Sequence, residues 1–494
     1  MLRLCPTFAA AAVLLLPLTA DAARSDAVIG MTLEPPHLDP TASSAAAIDE
    51  IVYANVFEGL TRIDGTGRVV PGLAESWTVS DDGLTYTFSL RQGVLFHDGT
   101  AFDSADVKFS LERAKAPDST NAQKQYFEPI RSIETPSPYE VVITLDYSDG
   151  AFLFHMGQGD AVIVAPESVD GNKSHPIGTG PFRFERWQPG DRVELVRNPD
   201  FRDPDGIALD RVTFRFIPDA AAQVAALLAG DVDAYPNMGA PETLARFEGD
   251  PRFVVDVGTT EGETVLALNW RRKPFDDPRV RQAVMHAIDR QALVDAAMFG
   301  YGTPIGTHFA PHHPAYEDLT GLYPHDPGKA KALLAEAGYP DGFETTLRLP
   351  PPSYARRGGE IIRAQLAEVG IRAQIIPVEW AQWLDQVFTN ADYDMSIVSH
   401  VEPMDIGIYA RGLDYYFGYE SEAFRQVIDA LETTVDDSQR NALYREAQEI
   451  LARDLASIYL FQLPKIGVRN AALEGLWSNS PVPANDMTAV HWAD

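Results

Sequence analysis

At 494 residues the chain is long enough for two or three separate cores. Hydrophobic residues at 45% and aromatics at 10% exclude a disordered chain. A formal net charge of −31 repels phosphate backbones and anionic headgroups, which excludes nucleic acid and lipid surfaces as partners.

The first 22 residues read as a secretory signal. Arg3 gives a short positive start, Phe8 to Leu18 an apolar stretch, and Ala20-Asp21-Ala22 a small-x-small cleavage site. The apolar stretch is too short for a membrane span, and no later stretch reaches the length required. The only cysteine, Cys5, precedes the apolar stretch rather than the cleavage point, which argues against a lipid anchor. A mature chain without cysteine has no disulfide and no thiolate metal site. The expectation is a soluble periplasmic protein.

Past the leader, Ala27 to Met31 is a short strand, followed by the proline loop Glu34 to Pro40 that contains His37. Ala45 to Leu60 is expected to be a helix, with Ile48, Val52, Val56 and Leu60 on one face. In Leu73 to Ala114, Thr85 to Leu90 alternates as a half-buried strand does, and polar turns lie at Ser80 to Gly83 and His97 to Thr100. Asp103 or Ser104 then caps a helix with Val107, Leu111 and Ala114 on its apolar stripe. Further strands are expected at Glu140 to Leu145, Arg192 to Asn198, Val212 to Ile217, Ile371 to Pro377 and Tyr393 to Val398. A short helix over Ala220 to Leu228 stops at Gly230. Asp277-Pro278 and Asp326-Pro327 pair a cap with a first-turn proline, marking two helix starts. Helices follow at Glu360 to Val369, Glu422 to Glu432 and Gln439 to Asp454, then the apolar run Ile458 to Phe461. Alternating strands and helices give a mixed α/β class, and periodicity alone leaves the strand pairing open.

Four blocks carry a resemblance. They are Asn55-Val56-Phe57-Glu58-Gly59-Leu60, the stretch Leu73 to Ala114, Pro176-Ile177-Gly178-Thr179-Gly180-Pro181-Phe182, and LALNWRRKPFDDPRVRQAVMHAIDRQALVDAAMFG from Leu266. In order and spacing they resemble the extracytoplasmic solute-binding proteins of peptide- and nickel-type ABC importers. The resemblance implies two lobes joined by two hinge strands, the larger lobe carrying an additional domain. Carried onto this sequence, residues 23–61, 176–260 and 465–494 form the core of lobe I, 62–175 its extra domain, and 261–464 lobe II. It also implies a monomer without cofactor, delivering its ligand to an inner-membrane permease and its ATPase subunits. The ligand is a short peptide or a related cationic or zwitterionic solute. A nickel chelate, opine, amine or sugar-like solute stands as the alternative.

The residues offer little support for catalysis. The chain lacks G-x-S-x-G, H-E-x-x-H and Walker sequences, so a secreted hydrolase is a distant alternative. The glycines of Ile177 to Pro181 serve a tight turn or a close backbone approach, since the lysine of a phosphate loop is missing. The acidic pairs Asp81-Asp82, Asp276-Asp277 and Asp436-Asp437 lie at turns and helix starts, where they cap. His308, His312, His313 and His325 share a proline-rich segment, and no specific metal site is assigned to them. In peptide-binding members of the family a strand leads into a tryptophan and, shortly after, an aspartate, and that aspartate fixes the ligand's α-ammonium group. Here His400 stands in the tryptophan's place and Pro403 in the aspartate's, leaving Glu402 and Asp405 to hold a cation. Arg411 suits an anionic end of the ligand. Trp380, Trp383, Tyr354, Tyr416 and His37 complete the expected wall of the site.

Overall fold

The computed structural model describes residues 24–43, 45–434 and 436–493. The leader assigned to residues 1–22 lies outside them. The fold is α/β and two-lobed, and one mixed sheet of eleven strands runs through both lobes. Lobe I contributes β1 (Asp26–Met31), α1 (Ala46–Val52) and an inserted four-stranded sheet of β2 (Ala74–Val79), β3 (Thr85–Leu90), β4 (Ile130–Ser137) and β5 (Glu140–Leu145), with α2 (Ser104–Lys115). Then come β6 (Phe182–Gln188), β7 (Arg192–Arg197), β8 (Arg211–Phe216), α3 (Ala220–Ala229) and β9 (Ala234–Tyr235). The long strand β10 (Phe253–Leu268) crosses to the second lobe. That lobe holds α4 (Pro278–Ala287), α5 (Arg290–Met298), α6 (Pro327–Glu336), β11 (Phe343–Leu349), α7 (Ser353–Glu368), β12 (Ile371–Pro377), α8 (Trp380–Trp383), β13 (Met395–His400), α9 (Glu422–Thr433) and α10 (Asp437–Asp454). Strand β14 (Ile458–Asn470) then returns.

The large sheet has the order β12-β11-β13-β10-β14-β9-β1-β8-β7-β6, with Thr303–Pro304 added beside β14. Its continuity rests on β10 and β14. They pair antiparallel from Phe253↔Asn470 to Thr259↔Pro464, shift register, and resume at Glu263↔Gln462. Before the irregularity the strands pack on a small core with Val224, Ile466 and Val468, and beyond it they enter one of two larger cores. One core gathers Ile29, Phe57, Phe182 and Phe214, the other Leu266, Val284, Ile362 and Leu460. From Glu261 on, β10 is buried at every position, as a strand covered on both faces must be. The C-terminal residues return to the first core through Leu473, Met487 and Val490.

The inserted sheet has the order β2-β3-β5-β4, all antiparallel. Phe88, Val141 and Ile143 alternate inward and pack under Val107 and Leu111 of α2. Both expected caps of α2 resolve to Asp103, whose carboxylate accepts from Ala105 N at 2.7 Å while Asp106 accepts from Asp103 N at 2.9 Å. Replacing Asp103 by alanine is expected to lower stability by about 1 kcal/mol in urea denaturation, with ligand affinity unaltered.

The signature blocks form the junction between this insert and the lobe I core. The helix expected to run to Leu60 ends at Val52, because the next turn is left-handed at Ala54, φ 59°. The chain then turns so that the Asn55 amide donates to Ile51 O and Asn485 O, and its oxygen accepts from Met487 N. Glu58 receives both guanidinium nitrogens of Arg202 and the hydroxyl of Thr179. Gly178 and Gly180 owe their identity to close approach rather than to a special φ. A Cβ at either would lie 2.0 Å from Val56 O or 2.4 Å from Asn55 O. His97 is seated on that same glycine segment, its Nε2 3.0 Å from Gly180 O and its Nδ1 accepting from Gly178 N at 3.3 Å.

Other departures are local. The helix expected from Glu360 starts at Ser353, and the strand expected over Tyr393 to Val398 runs from Met395 to His400. The apolar run at Ile458 is the start of a 13-residue strand.

Candidate ligand-binding cleft

Strand β13 ends at His400, paired across β10 with Glu263. The chain then turns through Met404, a non-glycine residue held at φ 63°, into a 3-10 helix starting at Asp405. Such a backbone needs a surrounding structure that fixes it, and it often marks a functional turn. Here the turn aims Glu402 and Asp405 into a cavity of about 810 Å³ between the inserted sheet's domain and the second lobe.

Among the expected site residues, Tyr354, Trp380, Trp383, His400, Glu402, Asp405 and Arg411 line this cavity. Tyr416 does not. It lies 2% exposed behind His400, its hydroxyl 2.9 Å from His400 Nε2, so it supports the imidazole from within the core. His37 does not either. It stays in its proline loop on lobe I, where Nδ1 accepts from Asp39 N. Arg411 reaches the cavity with its guanidinium over the Tyr415 ring, 5.3 Å from the centroid.

Apolar area on the second-lobe side comes from one short stretch. Trp383 is anchored by Nε1 donating to Ser396 Oγ at 2.9 Å, and Trp380 packs edge-on against it at 5.6 Å. The next six residues, Leu384 to Thr389, widen into a π-helix, a geometry that concentrates at functional sites. Trp380, Leu384 and Phe388 remain 41–50% exposed there and form a shelf along the cavity. The opposite wall belongs to the inserted domain. It comprises Gln123, Gln125, Tyr126 and His155, with the Tyr126 and His155 rings stacked at 4.0 Å and His155 bonded to Asp149. A second chamber of about 600 Å³ adjoins at Pro403 and Met404 and is lined by Arg68, Trp77, Phe154, His312 and Arg440. Sequence reading did not find the inserted domain's wall. Its residues lie more than 200 positions from His400 and carry no local motif.

The floor of the cleft is acidic. Asp405 Oδ1 accepts from His308 Nε2 at 2.6 Å, and Oδ2 lies 3.8 Å from His400 Nδ1. Burial lowers His400 to about 4 despite the nearby Asp405, so the imidazole is neutral near pH 7. Burial, then the charges of Asp405 and Glu261, pushes Glu263 well above the ordinary carboxylate range. Burial followed by Asp405 also raises Glu402. The histidine-rich segment is divided. His312 bonds Glu261 at 2.5 Å, His313 contacts Met404 Sδ at 3.2 Å, and His325 faces Asp289 outside the cleft; His308 alone reaches Asp405.

With two lobes, a crossing strand pair and a cleft between them, the comparison with known proteins is decisive. Residues 68–405 match the family described as bacterial extracellular solute-binding proteins, family 5. The chain belongs to that family. As a family 5 protein it is 31% identical over 472 residues to the glutathione-binding protein GsiB of Salmonella paratyphi A, covering 90% of each chain. The periplasmic binding protein DppA of Helicobacter pylori, solved with the peptide STSA, superposes with a TM-score of 0.78 at 28% identity. That match covers 96% of this chain and 99% of the other. HbpA2 of Haemophilus parasuis gives a TM-score of 0.85 at 27% identity, covering 95% and 100%. Family 5 proteins are binding proteins rather than enzymes. No helix among the described residues is long and apolar enough to cross a membrane.

Proposed function

We propose that this family 5 protein is the periplasmic binding component of an ABC importer and captures a short peptide or a related ammonium-bearing solute. The observation that carries the reading is the cavity of about 810 Å³ between inserted domain and second lobe, floored by Asp405 and Glu402. The ligand's ammonium group sits on these carboxylates, where charge-assisted hydrogen bonds are strongest. Its side chains lie on the shelf of Trp380, Leu384 and Phe388. A carboxylate end turns toward Arg411. The relatives named for glutathione and for a bound tetrapeptide support this ligand class.

Capture works by hinge closure. The irregularity between Thr259 and Glu263 is the point about which the crossing strands bend. A ligand touching both walls favours the closed form only by its greater affinity for that form. The closed monomer then delivers its cargo to the membrane permease and its ATPase subunits, and it performs no covalent chemistry.

A thermal-shift screen of peptides and small metabolites tests the reading. A true ligand at about a hundredfold over its Kd stabilises the protein by roughly 2.7 kcal/mol. A library without any stabilising compound, together with turnover of an added substrate, would overturn it.

A further inference from the structure

Beneath the cleft, three separate stretches bring donor atoms together around Asp405. Glu263 comes from β10, His308 from the loop after α5, and His400 with Glu402 from the end of β13. The ligating atoms of Glu263, His308 and Asp405 all lie within 4.8 Å of one another, as do those of His400, Glu402 and Asp405. We propose that this cluster is a binding site for one divalent first-row transition-metal ion, held by Asp405, His308 and Glu263 and open toward the cleft through Glu402 and His400.

Four observations carry the assignment. The donor set mixes imidazole and carboxylate, which suits nickel, zinc or copper better than calcium or magnesium. Glu263 is 2% exposed, and its Oε2 has no hydrogen-bond partner. A buried carboxyl oxygen without a partner, beside acids and imidazoles only, is a donor atom that the protein's own side chains leave unused. His308 is fully buried yet uses Nε2 on Asp405, so it already points a ligating nitrogen at the position an ion would take. The imidazole partner of the far side is fixed as well, because Tyr416 holds His400 Nε2 and leaves Nδ1 turned toward Asp405. Bonds of about 2.0–2.2 Å to nitrogen and oxygen require the donors to draw in on loading. The remaining coordination positions face the cavity, where a carboxylate or amine of the captured solute can fill them.

Metal and ammonium compete for Asp405, so the metal site is assayed by itself, without organic ligand. The untagged chain, stripped with a chelator, is titrated with nickel, zinc and cobalt chlorides. Metal content is measured after gel filtration, and the cobalt spectrum is recorded. The expected result is one ion per chain, with micromolar or tighter affinity and nitrogen–oxygen ligand-field bands. His308→Gln and Glu263→Gln should each weaken binding about tenfold or more, while His325→Ala, outside the cluster, should bind as the parent does. Glu263→Gln keeps the shape of the buried side chain, and circular dichroism checks its fold. Absence of stoichiometric binding, or binding untouched by both cluster variants, would overturn the proposal. Neither outcome bears on peptide capture, which the thermal-shift screen reads separately.

Discussion

Replacing Asp405 by asparagine is expected to weaken capture of an ammonium-bearing ligand by about 10- to 100-fold, the range for losing one hydrogen bond to a charged group. The geometry makes asparagine the informative choice. Asp405 Oδ1 accepts from Nε2 of a fully buried His308, and an asparagine oxygen keeps that acceptor while removing the charge. Alanine would leave the buried imidazole without its partner and mix a folding defect into the affinity loss. Glu402→Gln is expected to act in the same direction but less, because Glu402, though partly desolvated by the cleft, keeps contact at the rim with water that screens it. Calorimetric titration of both variants with the ligand found by thermal shift reads the effect, and unliganded melts should stay close to the parent's. Affinity unaltered in both variants would remove the acidic floor from the ligand site.

The shelf and the floor differ in how far sequence could reveal them. Trp380, Trp383 and the acids after His400 stood out because each lies beside a strand end and has a residue type suited to a cleft. Tyr416 has the same type and the same neighbourhood, yet it packs inward. Only the register that pairs His400 with Glu263 decides that its hydroxyl props the imidazole from behind. His308 was one of four histidines in one loop, and choosing among them takes the fold, which brings that loop against a turn about a hundred residues later. The crossing strands were hidden for another reason. Residues 253–260 are half-exposed and 261–268 fully buried, so β10 has no single period along its length. Several caps were legible, though those at Asp219, Asp289 and Ser421 were not singled out. Asp103, Asp277, Asp326 and Asp436 each accept from a first-turn amide as their spacing predicts, because that contact is confined to four residues.

The strongest sequence signature, Leu73 to Ala114, reaches the adjoining chamber only through Trp77, and its chemistry should appear in acid stability. His97, in the turn after β3, receives the Gly178 amide on Nδ1 and directs Nε2 to Gly180 O. Only the neutral tautomer protonated at Nε2 satisfies both contacts, since a proton on Nδ1 would face an N–H donor. Burial drives the group from its ordinary 6.5 down to about 4. The unfolded chain therefore takes up a proton on this histidine before the folded chain does. The contribution is complete above pH 6.5 and is lost as pH falls from 6.5 through about 4. By pH 4.5 the loss is of the order of 2–3 kcal/mol. Buried acids move the other way. Glu50 and Asp160, both raised to about 7 by burial, are stabilised by protonation as pH falls, so the total profile is a composite. The test is therefore a difference. Urea denaturation of the parent and of His97→Gln at pH 7 and pH 4.5 should show a gap that shrinks on acidification by roughly that amount. Parallel profiles would mean that the glycine segment holds the insert against lobe I without help from this imidazole's charge state.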